Sequence, residues 1–326
     1  MIPFKIVDCY SSDIIKQLEE CDALLWHFHH KNPKDILFAK QLLYAVQVSG
    51  KKTFPDFNTG WHFDDKVGQK YLLESINAPL VPSYVFFSGE EAARWAQSTT
   101  YPKVFKLRRG AGSSNVRLIK SKRQAINTIN KAFSSGFRLY EPIGGIKERW
   151  RRFKEGRSDL RDLFEGVGRF FIKTDFERTM GNEKGYVYFQ DFVEDCSFDI
   201  RVKVVEKKLW AFKRLVREND FRASGSSLFL NAPEEIPLEL IRTAFEICNK
   251  LKINCVAFDF VISNEKKPLL LEMSYAWGYD KYNKSQYQGY WDQDLNWHQC
   301  EFNPYGWIIE SIVREIRQDQ QNLNEN

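Results

Sequence analysis

The sequence predicts a mixed α/β protein, of the α+β kind in its second half, and three observations lead to this prediction. Strand-like and helix-like segments alternate over roughly the first 65 residues, an order that favours a small parallel sheet. Strand-like segments dominate residues 186–274, where short turns favour antiparallel pairing. Apolar residues make up 43% of the 326 residues and charged residues 28%, which suits a packed globular core.

Residues 1–82 are expected to form an N-terminal α/β domain. Its predicted elements are strands at 4–7, 23–28 and 52–55 and helices at 11–20, 34–49 and 65–76. Because proline stops helices, we expect the chain to pass to a second unit near Pro79 and Pro82.

Residues 83–185 are the predicted central lobe, and residues 186–326 the C-terminal lobe. The central lobe has predicted strands at 84–87, 103–107 and 116–119, helices at 89–97 and 121–134, and a long basic helix at 146–167. In the C-terminal lobe the strands are interrupted by a helix at 238–251, and an aromatic-rich loop at 275–307 leads to a last helix that begins at residue 304.

The net charge of +5 is unevenly distributed. Residues 103–173 contain 19 Lys and Arg against 6 Asp and Glu, a balance of +13, so the rest of the chain carries −8. A basic middle on an acidic body indicates an anionic ligand. Nucleic acid, nucleotide phosphates and anionic lipid all satisfy this observation.

Compartment and redox state follow from what the sequence lacks. No stretch approaches the ~18 uncharged residues that a membrane span needs, and the first residues lack the apolar core of a signal peptide. The six cysteines include no C-x-x-C pair, so neither a disulfide framework nor a zinc knuckle is indicated. We expect a cytoplasmic, reduced protein.

Two acidic residues in the C-terminal lobe are predicted to face each other. If the turn at 263–268 closes a hairpin, Asp259 pairs with Glu272, and Ser274 lies on the same face. Carboxylates at ~5 Å across two strands repel each other, and Mg²⁺ would neutralise them. The alternative is an ordinary hairpin whose acids meet Lys or Arg.

A run of small residues follows a predicted strand in the central lobe. Lys106 precedes it, and its members are Gly110, Ala111, Gly112, Ser113 and Ser114. Small residues let backbone N–H groups point at phosphate oxygens, and nearby cations reinforce this. A flexible glycine hairpin without a ligand is the alternative, and the run lacks the ending of a P-loop.

Several arginines accompany the strand that contains Asp199. Asp199 and Arg201 alternate with apolar residues, so their side chains project from the same side of that strand. Arg214, Arg217 and Arg222 follow after a turn. Arg214, Arg217 and Arg222 could surround one anion, although a solvated outer face is the usual fate of a single arginine.

These pieces, in this order, resemble the ATP-grasp superfamily over residues 65–274. The resemblance implies an N-terminal lobe that precedes the ATP-grasp unit, a central lid lobe and a C-terminal antiparallel-sheet lobe. The branch that contains the ribosomal-protein glutamate ligase is similar, as are ATP-grasp enzymes of surface-polysaccharide biosynthesis.

The resemblance also implies roles for the matching residues. Lys66 and Lys106 would hold ATP phosphates under the loop from Gly110 to Ser114, and Asp259 and Glu272 would bind Mg²⁺, or Mn²⁺ in its place. The adenine would meet Gln190, Asp191, Phe192 and Val193, with Asp199 near the ribose. Arg201, Arg214 and Arg222 would face the transferred phosphate or the acyl group. The chain departs from the family at Ser274, Gln190 and Ser224, where Asn, Glu and Asn are usual.

The implied activity is ATP-dependent ligation of a carboxylate to an amine through an acyl phosphate. Between residues 275 and 307, 11 of 33 residues are aromatic, which suits stacking on a sugar such as a uronic acid, or else forms a satellite core that fixes the last helix. The basic segment 148–157 suits a lipid-linked substrate or a solvated helix. A peptide or protein amino-acid ligase, a nucleotide-binding scaffold without turnover, and a nucleic-acid-binding module remain alternatives; we expect no nucleic acid, and the oligomeric state stays open.

Overall fold

The structure, a computed structural model, describes residues 2–110, 115–139, 149–150, 153, 159, 161, 175–217, 221–223, 228–279 and 287–325. Within these ranges the strands form a two-stranded, a four-stranded and a seven-stranded sheet. The predicted mixed class with an antiparallel C-terminal lobe is confirmed.

The N-terminal unit is built on two parallel strands. Its elements are α1 (Ile14–Gln17), β1 (Ala23–Leu25), α2 (Pro33–Val48), β2 (Lys52–Phe54), α3 (Phe57–Gly60) and α4 (Lys66–Ser75). Leu24 lies opposite Thr53 in the parallel pair. The predicted strand at 4–7 is wrong, because Phe4 and Ile6 stay 85% and 92% exposed instead of packing on the core.

The four-stranded sheet is antiparallel, with its last strand in an inner position. Its strands are β3 (Ser83–Phe86), β4 (Lys103–Lys106), β5 (Arg117–Ile119) and β6 (Val187–Asp191), in the order β3-β6-β4-β5. Two amphipathic helices, α5 (Gly89–Ser98) and α6 (Lys122–Ala132), share an apolar core with it, and α7 (Asp175–Met180) precedes β6. Although β6 falls after the predicted lobe boundary at 185, it pairs with the central lobe.

The seven-stranded sheet forms the C-terminal half. Its strands are β7 (Phe198–Val205), β8 (Lys208–Leu215), β9 (Phe229–Leu230), β10 (Cys255–Ile262), β11 (Pro268–Ser274), β12 (Gly289–Trp291) and β13 (Trp297–Gln299). Ile200, Val202 and Val204 face the apolar side of α8 (Leu238–Leu251) in one core cluster. Alternation therefore turns Asp199 and Arg201 to the opposite face.

The aromatic-rich segment is a packed region and not a loop throughout. It contains the strands β12 and β13 and the start of the last helix, α9 (Pro304–Asn324). Trp277 stacks on Tyr305, and Phe302 on Trp307, with ring centroids 5.6 and 4.5 Å apart. For the described rings, the satellite-core alternative therefore holds.

The predicted basic helix at 146–167, with its 148–157 segment, lies almost entirely outside the described residues. None of the described helices combines the length and apolar character that a membrane crossing requires.

Candidate active site

A cleft between the four-stranded and seven-stranded sheets contains most of the residues singled out in the sequence. Those that line it are Lys66, Lys106, Gly110, Gln190, Asp191, Phe192, Val193, Asp199, Arg222, Asp259 and Glu272. Arg201, Arg214 and Ser274 lie near it but not in its wall. Ala111, Gly112, Ser113, Ser114 and Ser224 lie outside the described residues.

Much of the cleft wall is apolar. The side chains that provide this surface are Val104, Val116, Phe192, Val216, Phe221 and Leu271. Ligand sites commonly combine apolar walls with a few polar groups that fix orientation. A flat apolar ring with a charged tail would suit this arrangement.

Lys106 is the buried cation on the side of the four-stranded sheet. Alternation along β4 turns it to the same side as Val104. Its ammonium Nζ donates to Gln190 Oε1 at 2.6 Å. Burial, together with the charge of Lys66, lowers its pKa to about 8, although Glu272 and Asp259 oppose the shift.

Gln190 lines the cleft and bonds to Lys106 through its side chain. Its amide oxygen accepts from Lys106, while its Nε2 donates to Ser83 Oγ at 3.1 Å. The side chain is almost completely buried. Gln190 lines the cleft, so its predicted contact with adenine stays a prediction, and its hydrogen bond also orients the lysine.

Lys66 links helix α4 to the glycine loop. It begins the helix, whose N-cap Asp65 accepts from Gly68 N at 2.9 Å. Lys66 Nζ donates to Gly110 O at 2.7 Å and lies 3.5 Å from Glu272 Oε2. The amine therefore sits between the start of the loop and a carboxylate.

Asp64 is a site residue that sequence reasoning missed. Its Oδ1 accepts from Gly110 N at 2.8 Å, so that Asp64 and Lys66 hold both backbone groups of Gly110. Gly110 has a φ of 114°, which glycine tolerates and other residues rarely adopt. Burial raises the pKa of Asp64 to about 6 against the effect of nearby cations. The signal available in the sequence was its position directly before the helix cap.

The predicted pairing of Asp259 with Glu272 is confirmed by the register of β10 and β11. Asp259 also lies opposite Arg201 of β7, whose Nε and Nη2 contact its two oxygens at 2.7 Å each. Arg214 Nη2 lies 2.9 Å from Asp259 Oδ2. Burial acts to raise the pKa of Asp259, but the two guanidinium groups outweigh it and hold this pKa below its usual range.

Arg214 joins two buried carboxylates. It lies opposite Asp199 in the pairing of β7 with β8 and donates to both Asp199 oxygens at 2.6 Å. The carboxylates raise its pKa although burial acts to lower it. Asp199, Arg201, Arg214 and Asp259, which we call the ion-pair quartet, balance one another in charge.

The three predicted metal ligands differ in what they offer a Mg²⁺ ion. Glu272 has a side chain 33% exposed and one cationic contact, at 3.5 Å from Lys66. Both Asp259 oxygens already accept from guanidinium groups, and Ser274 Oγ donates to Ala276 O at 3.3 Å. Within the described ranges no group of three or more His, Cys, Asp and Glu is arranged to hold a metal ion. Since Mg²⁺ often takes one carboxylate plus substrate phosphates, Glu272 fits it.

Comparison with known proteins gives a result at the level of structure. No protein-family model matches the chain, and no curated protein matches its sequence. The D-alanine–D-alanine ligase from Bacillus anthracis, solved with ATP, matches 94% of this chain and 84% of its own, with a TM-score of 0.52 and 11% identity. Biotin carboxylase from Campylobacter jejuni, in an ATP complex, matches with a TM-score of 0.53 and 14% identity over 86% of this chain.

The chain spans 56% of that biotin carboxylase. A RimK domain ATP-grasp protein from Sphaerobacter thermophilus matches with a TM-score of 0.49 and 14% identity, over 78% of this chain and 73% of its own. The two matches with a TM-score above 0.5 agree with the two sheets that enclose the cleft, and together they show that the chain has the ATP-grasp fold. Identities this low establish the shared fold alone.

Proposed function

We propose that the chain is an ATP-dependent carboxylate–amine ligase that works through an acyl phosphate. The observation that carries this is the composition of the cleft, in which Lys66, Lys106 and Glu272 meet beside an apolar wall. The cations suit the phosphates of a nucleotide, the wall suits its base, and Glu272 suits Mg²⁺. The ATP-grasp fold supports the same proposal.

In this reaction the substrate carboxylate attacks the γ-phosphorus of ATP, and ADP leaves. The amine then attacks the acyl carbon, and inorganic phosphate leaves as the amide forms. Phosphoryl transfer requires mainly positioning and charge neutralisation, and bound Mg²⁺ supplies part of that neutralisation.

The residues of the chain have separate tasks in the proposal. Lys106 and Lys66 bind phosphate oxygens, and the backbone of 191–193 borders the base. We assign Gly110, which lines the cleft, a place beside the phosphates, and Arg222, also in the cleft wall, a place at the acyl end of the substrate. Arg201, held by Asp259, presents positive charge to the transferred phosphate.

The acid substrate is the part that the aromatic segment was expected to select. The described rings from Tyr275 to Trp307 pack on one another and on Trp210. Four of these rings, those of Tyr275, Trp277, Tyr287 and Trp291, are buried and offer no face for stacking on a sugar. This weakens the reason for preferring a uronic acid of a surface polysaccharide. Amino acids and peptides therefore belong in the substrate panel beside uronic acids.

Hydroxylamine trapping tests the ligase. Purified protein with MgATP, hydroxylamine and a panel of amino, peptide and uronic acids should release ADP and form a hydroxamate with one class of acid. Lys106→Met should abolish both products. Lys70→Ala is the matched control, because Lys70 lies one turn after Lys66 on α4 and pairs with Glu74.

Two outcomes would contradict the proposal in different ways. Wild-type protein that binds no nucleotide would exclude the cleft as an ATP site. Tight nucleotide binding without ADP release for any acid would favour a nucleotide-binding scaffold without turnover.

A further inference from the structure

The carboxylate of Asp259 is the most heavily paired acid of the cleft. It accepts from Arg201 at both oxygens and also lies 2.9 Å from Arg214. Its side chain is 3% exposed. A carboxylate has about four lone-pair sites, so these donors occupy most of its capacity.

Binding of Mg²⁺ to the Asp259 carboxylate would be energetically unfavourable. Two guanidinium groups already lie against its oxygens, and they would repel a divalent cation placed beside them. Removing one of them would break a bidentate ion pair, among the strongest hydrogen-bonded contacts in proteins. The ion-pair quartet is also balanced in charge, so Asp259 has no unpaired negative charge to offer a further cation, whereas Glu272 and the nucleotide phosphates do.

Glu272 lies directly across from Asp259 in the sheet, but it has fewer cationic partners. Its side chain is one-third exposed, and the Lys66 contact at 3.5 Å is too long for a strong hydrogen bond. Nucleotide phosphates that draw Lys66 toward them would free Glu272 further.

We propose that, among the carboxylates that the structure describes, Glu272 alone binds the Mg²⁺ of the nucleotide, and that Asp259 is a positioning residue that holds Arg201 toward the transferred phosphate. This inference rests on the proposed function, because it needs a nucleotide in the cleft. It reassigns Asp259 from metal ligand to the anchor of a cation.

Mn²⁺ binding measured by electron paramagnetic resonance tests it. The protein is loaded with a nonhydrolysable ATP analogue and titrated with Mn²⁺. Glu272→Gln should weaken Mn²⁺ binding by tenfold or more, whereas Asp259→Asn should leave it within about threefold of wild type. Arg201→Gln should strengthen it by about tenfold, because Asp259 Oδ1, which then has no guanidinium partner, can join Glu272 on the ion while Arg214 stays on Oδ2.

Two further variants separate the carboxylate from simple charge effects. Arg222→Gln removes one positive charge from the same cleft without freeing Asp259, and should change the Mn²⁺ affinity by less than about threefold. In the double variant Arg201→Gln/Asp259→Asn, the gain of Arg201→Gln should vanish.

The inference is overturned if Asp259→Asn weakens Mn²⁺ binding as much as Glu272→Gln does. If Asp259→Asn does not fold, an Arg201→Gln variant without a gain over Arg222→Gln overturns it. If wild-type protein binds the analogue and the variants give either of these results, the inference alone is contradicted. If wild-type protein binds no analogue, the proposed function is contradicted as well.

Discussion

The two sheets on either side of the cleft, called its two walls below, hold their cations through different partners. On the four-stranded sheet, Lys106 is bonded to a neutral amide, that of Gln190. On the seven-stranded sheet, Arg201 and Arg214 are bonded to carboxylates. A cation with a neutral partner keeps its net charge for a ligand, whereas a cation with an anionic partner has most of its charge neutralised within the protein. We therefore expect Lys106, on the first wall, to matter most for ligand binding, and Arg214, on the second, to matter most for stability.

The largest effect should come from the carboxylate-paired wall. Arg214→Met leaves Asp199 and Asp259 buried with half of their compensating charge gone, and breaking a buried pair in this way costs about 3–5 kcal/mol. Urea denaturation measures the free energy of unfolding. Arg94→Met, at an exposed 4.0 Å pair with Glu90, is the control and should change it by less than about 0.5 kcal/mol. A loss below about 1 kcal/mol for Arg214→Met would show that the quartet is not structural.

The amide-paired wall should behave in the reverse manner. Lys106→Met removes the proposed phosphate contact and should weaken ATP-analogue binding by about 30-fold, or about 2 kcal/mol, the size of a charge-assisted hydrogen bond. The free energy of unfolding should change by less than about 1 kcal/mol, because the loss of a buried amine without an anionic partner offsets the hydrogen bond that Gln190 Oε1 loses. Isothermal titration calorimetry and urea denaturation measure the two quantities. Equal losses of binding in Lys106→Met and Lys70→Met would contradict the assignment.

The pH dependence of binding should report the same lysine. With a pKa lowered to about 8, Lys106 is charged below that pH and loses its charge as the pH rises through it. Analogue affinity should therefore fall between about pH 8 and pH 10, by at most tenfold per pH unit for one proton. The fall should be absent in Lys106→Met. A profile unchanged by this substitution would assign the titration to another group.

The smallest expected effect, on analogue binding, comes from giving Lys106 a carboxylate partner like those of Arg201 and Arg214. Gln190→Glu gives Lys106 an anionic partner, which should weaken analogue binding by about fivefold, or about 1 kcal/mol. It should also move the fall in affinity to higher pH, because a carboxylate stabilises the ammonium form. Gln97→Glu, an exposed position on α5, adds the same charge without touching the lysine. Unchanged pH behaviour in Gln190→Glu would mean that Lys106 does not depend on its amide partner.

Local pairing was predictable from the sequence, and pairing between distant strands was not. Asp259 and Glu272 belong to one hairpin, so a short turn fixes their register. Asp259 also has a second neighbour, Arg201, on a strand 58 residues earlier, and nothing local to either strand indicates that the two are adjacent. The two alternatives for the acids, a metal ion or internal cations, thus depended on a contact that the hairpin alone could not reveal.

The same limit explains Gln190 and the first strand. Lys106 and Gln190 meet across 84 residues, so the lysine could be assigned to a phosphate site but its orienting partner could not. The alternation of Phe4 and Ile6 is typical of a strand, but a strand forms only where it can pair with the edge of a sheet and bury its apolar face. In the structure neither side chain is buried.

The position of β6 has a consequence for how the protein is made. This strand lies between β3 and β4, yet it is synthesised more than 80 residues after β4. Until it emerges from the ribosome, β3 and β4 have no shared neighbour, and their edges remain open to other chains. A truncation at residue 185 would produce the same open edges permanently. Any fragment intended to contain the complete four-stranded sheet should therefore extend through Asp191.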